Sequence, residues 1–167
     1  MKARLSPLDL HSYFVIDVGC TANPAYQPDK PVLLELEDQI VETALATPGS
    51  EGNDEKDAYR VVLHIRQKAP PEKNAPYNFH IVLHGWFGVH PGVPADTCAQ
   101  LVETTGGSIL FGVAREILRN LMATGPYLPI LLPSVSFHPN APELKAPAPE
   151  IALPVPKKKK LTRKSKT

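Results

Sequence analysis

Cysteine is scarce. Cys20 and Cys98 are the only two in 167 residues, too few and too far apart for a disulfide framework or a zinc ribbon, so they read as reduced thiols. No apolar stretch approaches the roughly 20 residues that a bilayer-crossing helix needs, and Met1 to Leu10 lacks the apolar run of a signal peptide. The expectation is a soluble, cytoplasmic chain. A phosphate-binding loop is also missing, because Gly106-Gly107 precedes Ser108 without the earlier glycine and the lysine of a P-loop. The same G-G-S-I-L lacks the glycine two residues after the serine that a nucleophile elbow requires, so Ser108 reads as a helix cap. Acids are absent from residues 157–167, where seven Lys and Arg gather (Lys157 to Lys160, Arg163, Lys164, Lys166); the remainder holds eleven bases against seventeen acids, a net of −6. An acidic body therefore carries a basic tail.

What is present is enough apolar residue, 43% of the chain, to bury one domain-sized core. Six of the 19 prolines fall between Pro139 and Pro156, where no helical or strand period survives. The domain is thus expected to end near residue 138, with 139–156 an extended spacer and 157–167 a disordered, solvated polycation. The tail has no aromatic residue for base stacking, so it suits unspecific phosphate contact, an acidic protein surface, an anionic lipid headgroup or plain solubility.

Four strand-like segments precede one strong helix. The first runs from about Ser12 to Cys20 and the second from Val32 to Ala44, where Val32, Leu34, Leu36 and Ile40 share a face opposite Glu35, Glu37 and Gln39. A hairpin loop at 47–57 leads to a third strand, Ala58 to Lys68, with Tyr59, Val61, Leu63 and Ile65 on one face and Arg60, His64 and Arg66 on the other with Val62. The fourth, Tyr77 to His90, alternates Tyr77, Phe79, Ile81, Leu83, Phe87 and Val89 with Asn78, His80, His84 and Trp86. Four such strands imply an antiparallel sheet wet on one side. A weak helical piece at Pro94 to Glu103 is followed by the main helix, Ser108 to Thr124, whose apolar residues include Ile109, Leu110, Val113, Ile117, Leu118 and Leu121. Strands first and helix afterwards give an α+β class, with the helix packed on one side of the sheet. Tyr127 to Phe137 is apolar, but Pro129 and Pro133 exclude it from a central strand.

No catalytic constellation emerges. His80 and His84 share a strand face about 13 Å apart at the usual rise, whereas two ligands of one zinc lie within about 4 Å of each other. They read as polar histidines of the wet face, with no metal, cofactor or catalytic residue expected. Apolar area, by contrast, is in surplus: Phe111 and Met122 fall outside the main stripe, and Leu128, Ile130, Leu131, Leu132 and Val135 add more than one sheet and one helix hide. Such surplus marks interfaces or binding sites.

The block Ser108-Ile109-Leu110-Phe111, then Ala114-Arg115-Glu116, followed by Gly125, Tyr127, Ile130, Leu132, Val135 and Phe137, resembles the main helix and following segment of the SecB export chaperones. Tyr59-Arg60-Val61-Val62-Leu63, the Leu34-Glu35-Leu36 alternation and the fourth strand with Gly85 and Phe87 are similar to that family too, so the likeness spans about residues 12–138 within a domain of 1–138. It implies a four-stranded antiparallel sheet, assembly as a homotetramer (a dimer of dimers), and ATP-independent holding of non-native polypeptides or preproteins for the translocase motor SecA. On that basis Leu34, Leu36, Val61, Leu63, Tyr127, Leu132 and Phe137 are expected to line a client groove, and Ile109, Val113, Ile117 and Leu121 to serve helix packing or assembly. The sequence departs from the family where Pro139, Pro142, Pro147 and Pro149 forbid a second helix, and where the acidic residues that dock SecA are not reproduced, one such position being His80. Protection of an antitoxin by a SecB-like chaperone, a self-assembling scaffold without clients and, last, a small-molecule enzyme are the competing readings.

Overall fold

The computed structural model describes residues 6–32, 39–44, 58–68 and 70–138. Leu34 and Leu36, the 47–57 loop and the whole of 139–167 lie outside the described residues. Strands β1 (Leu8–Ala22), β2 (Gln39–Ala44), β3 (Ala58–Gln67) and β4 (Tyr77–Val89) form one antiparallel sheet in the order β1-β4-β3-β2. Helices α1 (Ala95–Leu101) and α2 (Gly107–Ala123) follow. The class is α+β.

Alternation decides which side of the sheet is dry. Along β3 and β4, Val61, Leu63, Ile65, Phe79, Ile81, Leu83 and Phe87 are buried, while the residues between them are exposed or half-buried. Register pairing of Leu63 with Leu83 and Ile65 with Ile81 stacks these side chains in rows. Onto this face α2 lays Leu110, Phe111, Ala114, Leu118 and Met122, all buried. Leu110 sits so close to the sheet that a side chain at Gly85 would come within 2.7 Å of its Cδ2.

Two expectations are corrected. Phe111 and Met122 are not surplus surface but core, because α2 is rotated so that the 110/111/114/118/122 stripe faces the sheet and the 109/113/117/121 stripe lies at its flank. Nor does Ser108 cap a helix start: α1 runs through a π-helical turn, Val102–Gly106, straight into α2. Ser108 Oγ donates to the Thr104 carbonyl at 2.8 Å, and Thr104 Oγ1 donates to that of Gln100 at 2.8 Å, the back-bonding of hydroxyls inside a helix. The glycines serve close packing instead. A Cβ on Gly106 would stand 3.3 Å from Val61 Cγ2, and one on Gly107 3.1 Å from the Phe137 ring.

Two polar devices hold the connections. Asn74, at φ 51°, accepts the Gln27 N–H at 2.8 Å and donates to the carbonyls of Gln27 and Lys30, fixing the chain that leaves β1. At the other end of the core the buried Tyr77 hydroxyl donates to the Tyr127 carbonyl at 2.7 Å, with the Met122 carbonyl a further acceptor at 3.1 Å, and accepts the Tyr127 N–H at 2.9 Å. Gly125 makes room for it, since a Cβ there would lie 2.6 Å from that oxygen. From Tyr127 to His138 the chain is neither helix nor strand.

Candidate functional site

The described surface has three distinct regions. The first is the edge strand β1, where Tyr13, Phe14, Val15, Ile16 and Val18 are each 39% to 56% exposed. Register shifts between Leu10 and Ser12 and between Val15 and Asp17 insert extra residues, and such bulges re-aim the side chains beyond them. Tyr13, Val15 and Val18 lie opposite Gly85, Leu83 and Ile81, hence on the inner face. Leu83 and Ile81 are wholly buried there, and although α2 also touches β1, the apolar side chains in the middle of that strand stay partly exposed. Phe14, opposite His84, belongs to the outer face and meets Trp86 edge to face at 5.3 Å. An edge strand this long and apolar invites pairing with another chain.

The second region is the flank of α2 with the segment after it. Ile109, Val113 and Ile117 are half-buried against the core, and Leu121 is exposed. Leu128 and Leu131 are both 60% exposed, alternating with the buried Ile130 and Leu132. Tyr127 is half-buried, packed between Tyr26 and Tyr77, and Phe137 is half-buried with its ring 6.2 Å from that of Phe111.

Of the expected groove residues, then, Tyr127 and Phe137 are half-buried and reach the surface, while Val61, Leu63 and Leu132 are 0% to 2% exposed inside the protomer. The β1 residues were missed by sequence reasoning, although Tyr13-Phe14-Val15-Ile16 is an unbroken apolar run. A strand apolar on both faces signals cover on both faces, and the described residues supply it only in part on either.

The third region is the outer face of the sheet, with Arg60, His64 and Arg66 from β3 beside His80, His84 and Trp86 from β4. His80 Nε2 lies 3.2 Å from Asp17 Oδ2 across the β1–β4 pair. Burial, then the neighbouring Arg60 and His64, hold His84 below the ordinary imidazole range. Among the described residues no three His, Cys, Asp or Glu converge on a point that would hold a metal ion. No described helix is long and apolar enough to cross a membrane.

The arrangement offers extended apolar surface for macromolecules and, among the described residues, no metal-binding group of His, Cys, Asp or Glu. The model of the family Preprotein translocase subunit SecB matches residues 27–140. The chain belongs to the SecB family. Members of this family bear the names of preprotein translocase and protein-export subunits. This chain is 29% identical over 83 residues to the protein-export protein SecB of Cellvibrio japonicus, spanning about half the length of that curated relative (49%) with 50% of its own. The SecB-like chaperone of Mycobacterium tuberculosis, solved in complex with a ChAD peptide from the HigA1 antitoxin, superposes with a TM-score of 0.55 at 16% identity, covering 78% of this chain and 91% of that one. That likeness carries the SecB-like fold, whose sheet and main helix are those described above.

Proposed function

We propose that this SecB-family chain is an ATP-independent holdase of the cytoplasm that assembles as a homotetramer and keeps non-native polypeptides from aggregating. The observation that carries the reading is the split of exposed apolar residue between a pairing edge and an irregular segment. The β1 edge, which pairs only with β4 among the described strands, suits pairing of two copies, and the 109/113/117/121 flank of α2 suits the junction of two pairs. Five half-exposed β1 side chains gain on the order of 1 kcal/mol each when covered, enough to offset much of the cost of association.

Clients go to the remaining apolar surface. Tyr127, Leu128, Leu131 and Phe137 form its described part, and Val61, Leu63 and Leu132 are its floor rather than its lining; Leu34 and Leu36 lie outside the described residues. A segment without helix or strand adapts to varied side chains, and an unfolded client binds by many weak contacts at once. The test is light scattering of a reduced, urea-denatured protein diluted into the chain. Suppression near equimolar ratio is expected, falling several-fold in the Leu128→Ser/Leu131→Ser double variant with its oligomer intact. Unchanged suppression refutes the surface assignment. The antitoxin reading is supported by the peptide bound to the mycobacterial neighbour. It predicts one dominant polypeptide in material captured from cell extract, whereas the export reading predicts many.

A further inference from the structure

The run from Leu128 to Phe137 is bare in two ways. Leu128 and Leu131 are each 60% exposed, and among the described residues no main-chain hydrogen bond is made by any residue of the run. Exposure of 7%, 60% and 2% at Ile130, Leu131 and Leu132 has the period of an extended chain. The run is thus a single extended stretch, apolar on its outer side and unpaired along its backbone. Such an edge takes a second extended segment.

The chain itself carries a matching segment. Pro139 to Pro156 as a whole has no strand period, but its last six residues, Ile151-Ala152-Leu153-Pro154-Val155-Pro156, do. In an extended chain Ile151, Leu153 and Val155 share one face, and their main-chain groups share one edge. Pro154 and Pro156 fall on the opposite edge, where the missing N–H blocks further pairing. One edge pairs and the other is closed, as suits a strand added last to a sheet. Reach and charge agree with this. Residues 139–150, which separate His138 from Ile151, span up to about 40 Å, and doubling back along ten residues of extended chain takes about 33 Å. The seven bases of 157–167 bring a polycation to a body of net charge −6. We propose that residues 151–155 of this chain lie antiparallel on the run from Leu128 to Phe137 and cover Leu128 and Leu131, so that the protein holds its own later segment where a client would go. The proposal rests on the reading of that surface as the client site. Tethering sets an effective concentration on the order of millimolar. A weak contact therefore suffices, and a client with more contacts displaces it.

Amide exchange of the full-length chain is compared with that of Ile151→Ser/Leu153→Ser/Val155→Ser. Exchange between Leu128 and Phe137 should be at least tenfold slower in the parent chain, and the emission of added bis-ANS, a probe of bare apolar surface, several-fold weaker. Ala152→Pro removes an N–H from the closed edge alone and should behave as the parent. Leu153→Pro removes one from the pairing edge and should behave as the triple variant. In the aggregation assay the triple variant should reach full suppression at a several-fold lower ratio of chain to client. Equal protection in parent and triple variant would mean that the run is bare or covered by another occupant, such as a second copy, and overturns the proposal; so does loss of protection in Ala152→Pro. Suppression absent from every form, with the exchange difference intact, would instead overturn the client-site reading and leave the docking itself standing.

Discussion

Strands β1 and β4 are paired along almost their whole length, yet they treat apolar residues in opposite ways. On β4 every second side chain from Tyr77 to Phe87 is buried. On β1 Phe14 and Ile16 are each 56% exposed. The ladder is common to both; the cover is not. The helical layer buries the apolar residues of β3 and β4 within the protomer, whereas its contact with β1 leaves Tyr13, Phe14, Val15, Ile16 and Val18 partly in water among the described residues. Burial in a strand therefore measures its place in the sheet order, and an apolar run at an edge reports on assembly.

Mutations should separate the two strands sharply. Phe87→Ala removes a wholly buried ring beneath α2, at a cost of about 3–5 kcal/mol read as a lowered denaturation midpoint. Phe14→Ala, one strand away, should cost the isolated protomer no more than about 1 kcal/mol. Equal losses would mean that the outer face of β1 is core, and the contrast would fail.

Tyr77→Phe asks whether the segment after α2 is fixed by polar contacts as firmly as by packing. The substitution leaves the Tyr127 N–H and two carbonyls without their shared partner, so a loss of about 1–3 kcal/mol is expected. Amide exchange should quicken first around Tyr127. Loss of stability without local exchange would place the latch in the global core instead.

The third change acts on β1 through assembly. Ile16→Lys with Val18→Lys puts two charges on the exposed edge, where natural sheets use lysine to block pairing. The protomer should keep its fold by circular dichroism while light scattering reports a fall to a smaller species. Retention of the parent mass at micromolar concentration would remove β1 from the interface.

The legibility of these regions follows the same line. Alternation along β3 and β4 was plain in the sequence because burial there has period two and depends on local faces. The order β1-β4-β3-β2 was not, since it rests on a long connection out of β1 that Asn74 holds from 43 to 47 residues away. Without that order an edge strand cannot be told from a central one. In α2 the apolar arc is broad enough to admit two stripes, and the sheet alone selects Leu110, Phe111, Ala114, Leu118 and Met122. Gly106-Gly107 misled for a different reason: glycine both ends helices and allows close approach, and the contacts with Val61 and Phe137 that decide between these are remote in sequence. Of the site, Tyr127 and Phe137 were legible as apolar residues, but their half-exposure depends on how the segment crosses α2.

The smallest expected effect concerns pH and compares the two sides of the domain. His84 is held below the ordinary imidazole range by burial and then by Arg60 and His64, so the folded state binds its proton less readily than the unfolded chain does. Its contribution to stability is therefore complete above the ordinary histidine pKa and is lost as pH falls through the folded value. On the α2 side, hydrogen bonds from Arg119 and Asn120 bring Glu116 down to about 2. That contribution is present above the ordinary glutamate range and is lost as pH falls toward about 2; full exposure leaves it small and screened by salt. The first window opens at the ordinary histidine value, the second only at the ordinary glutamate value. Between pH 7 and 5 the change in denaturation midpoint should shrink in Arg60→Gln, which removes one cause of the His84 shift, and should be untouched in Glu116→Gln. Equal behaviour of the two variants would show that Arg60 exerts no pull on His84.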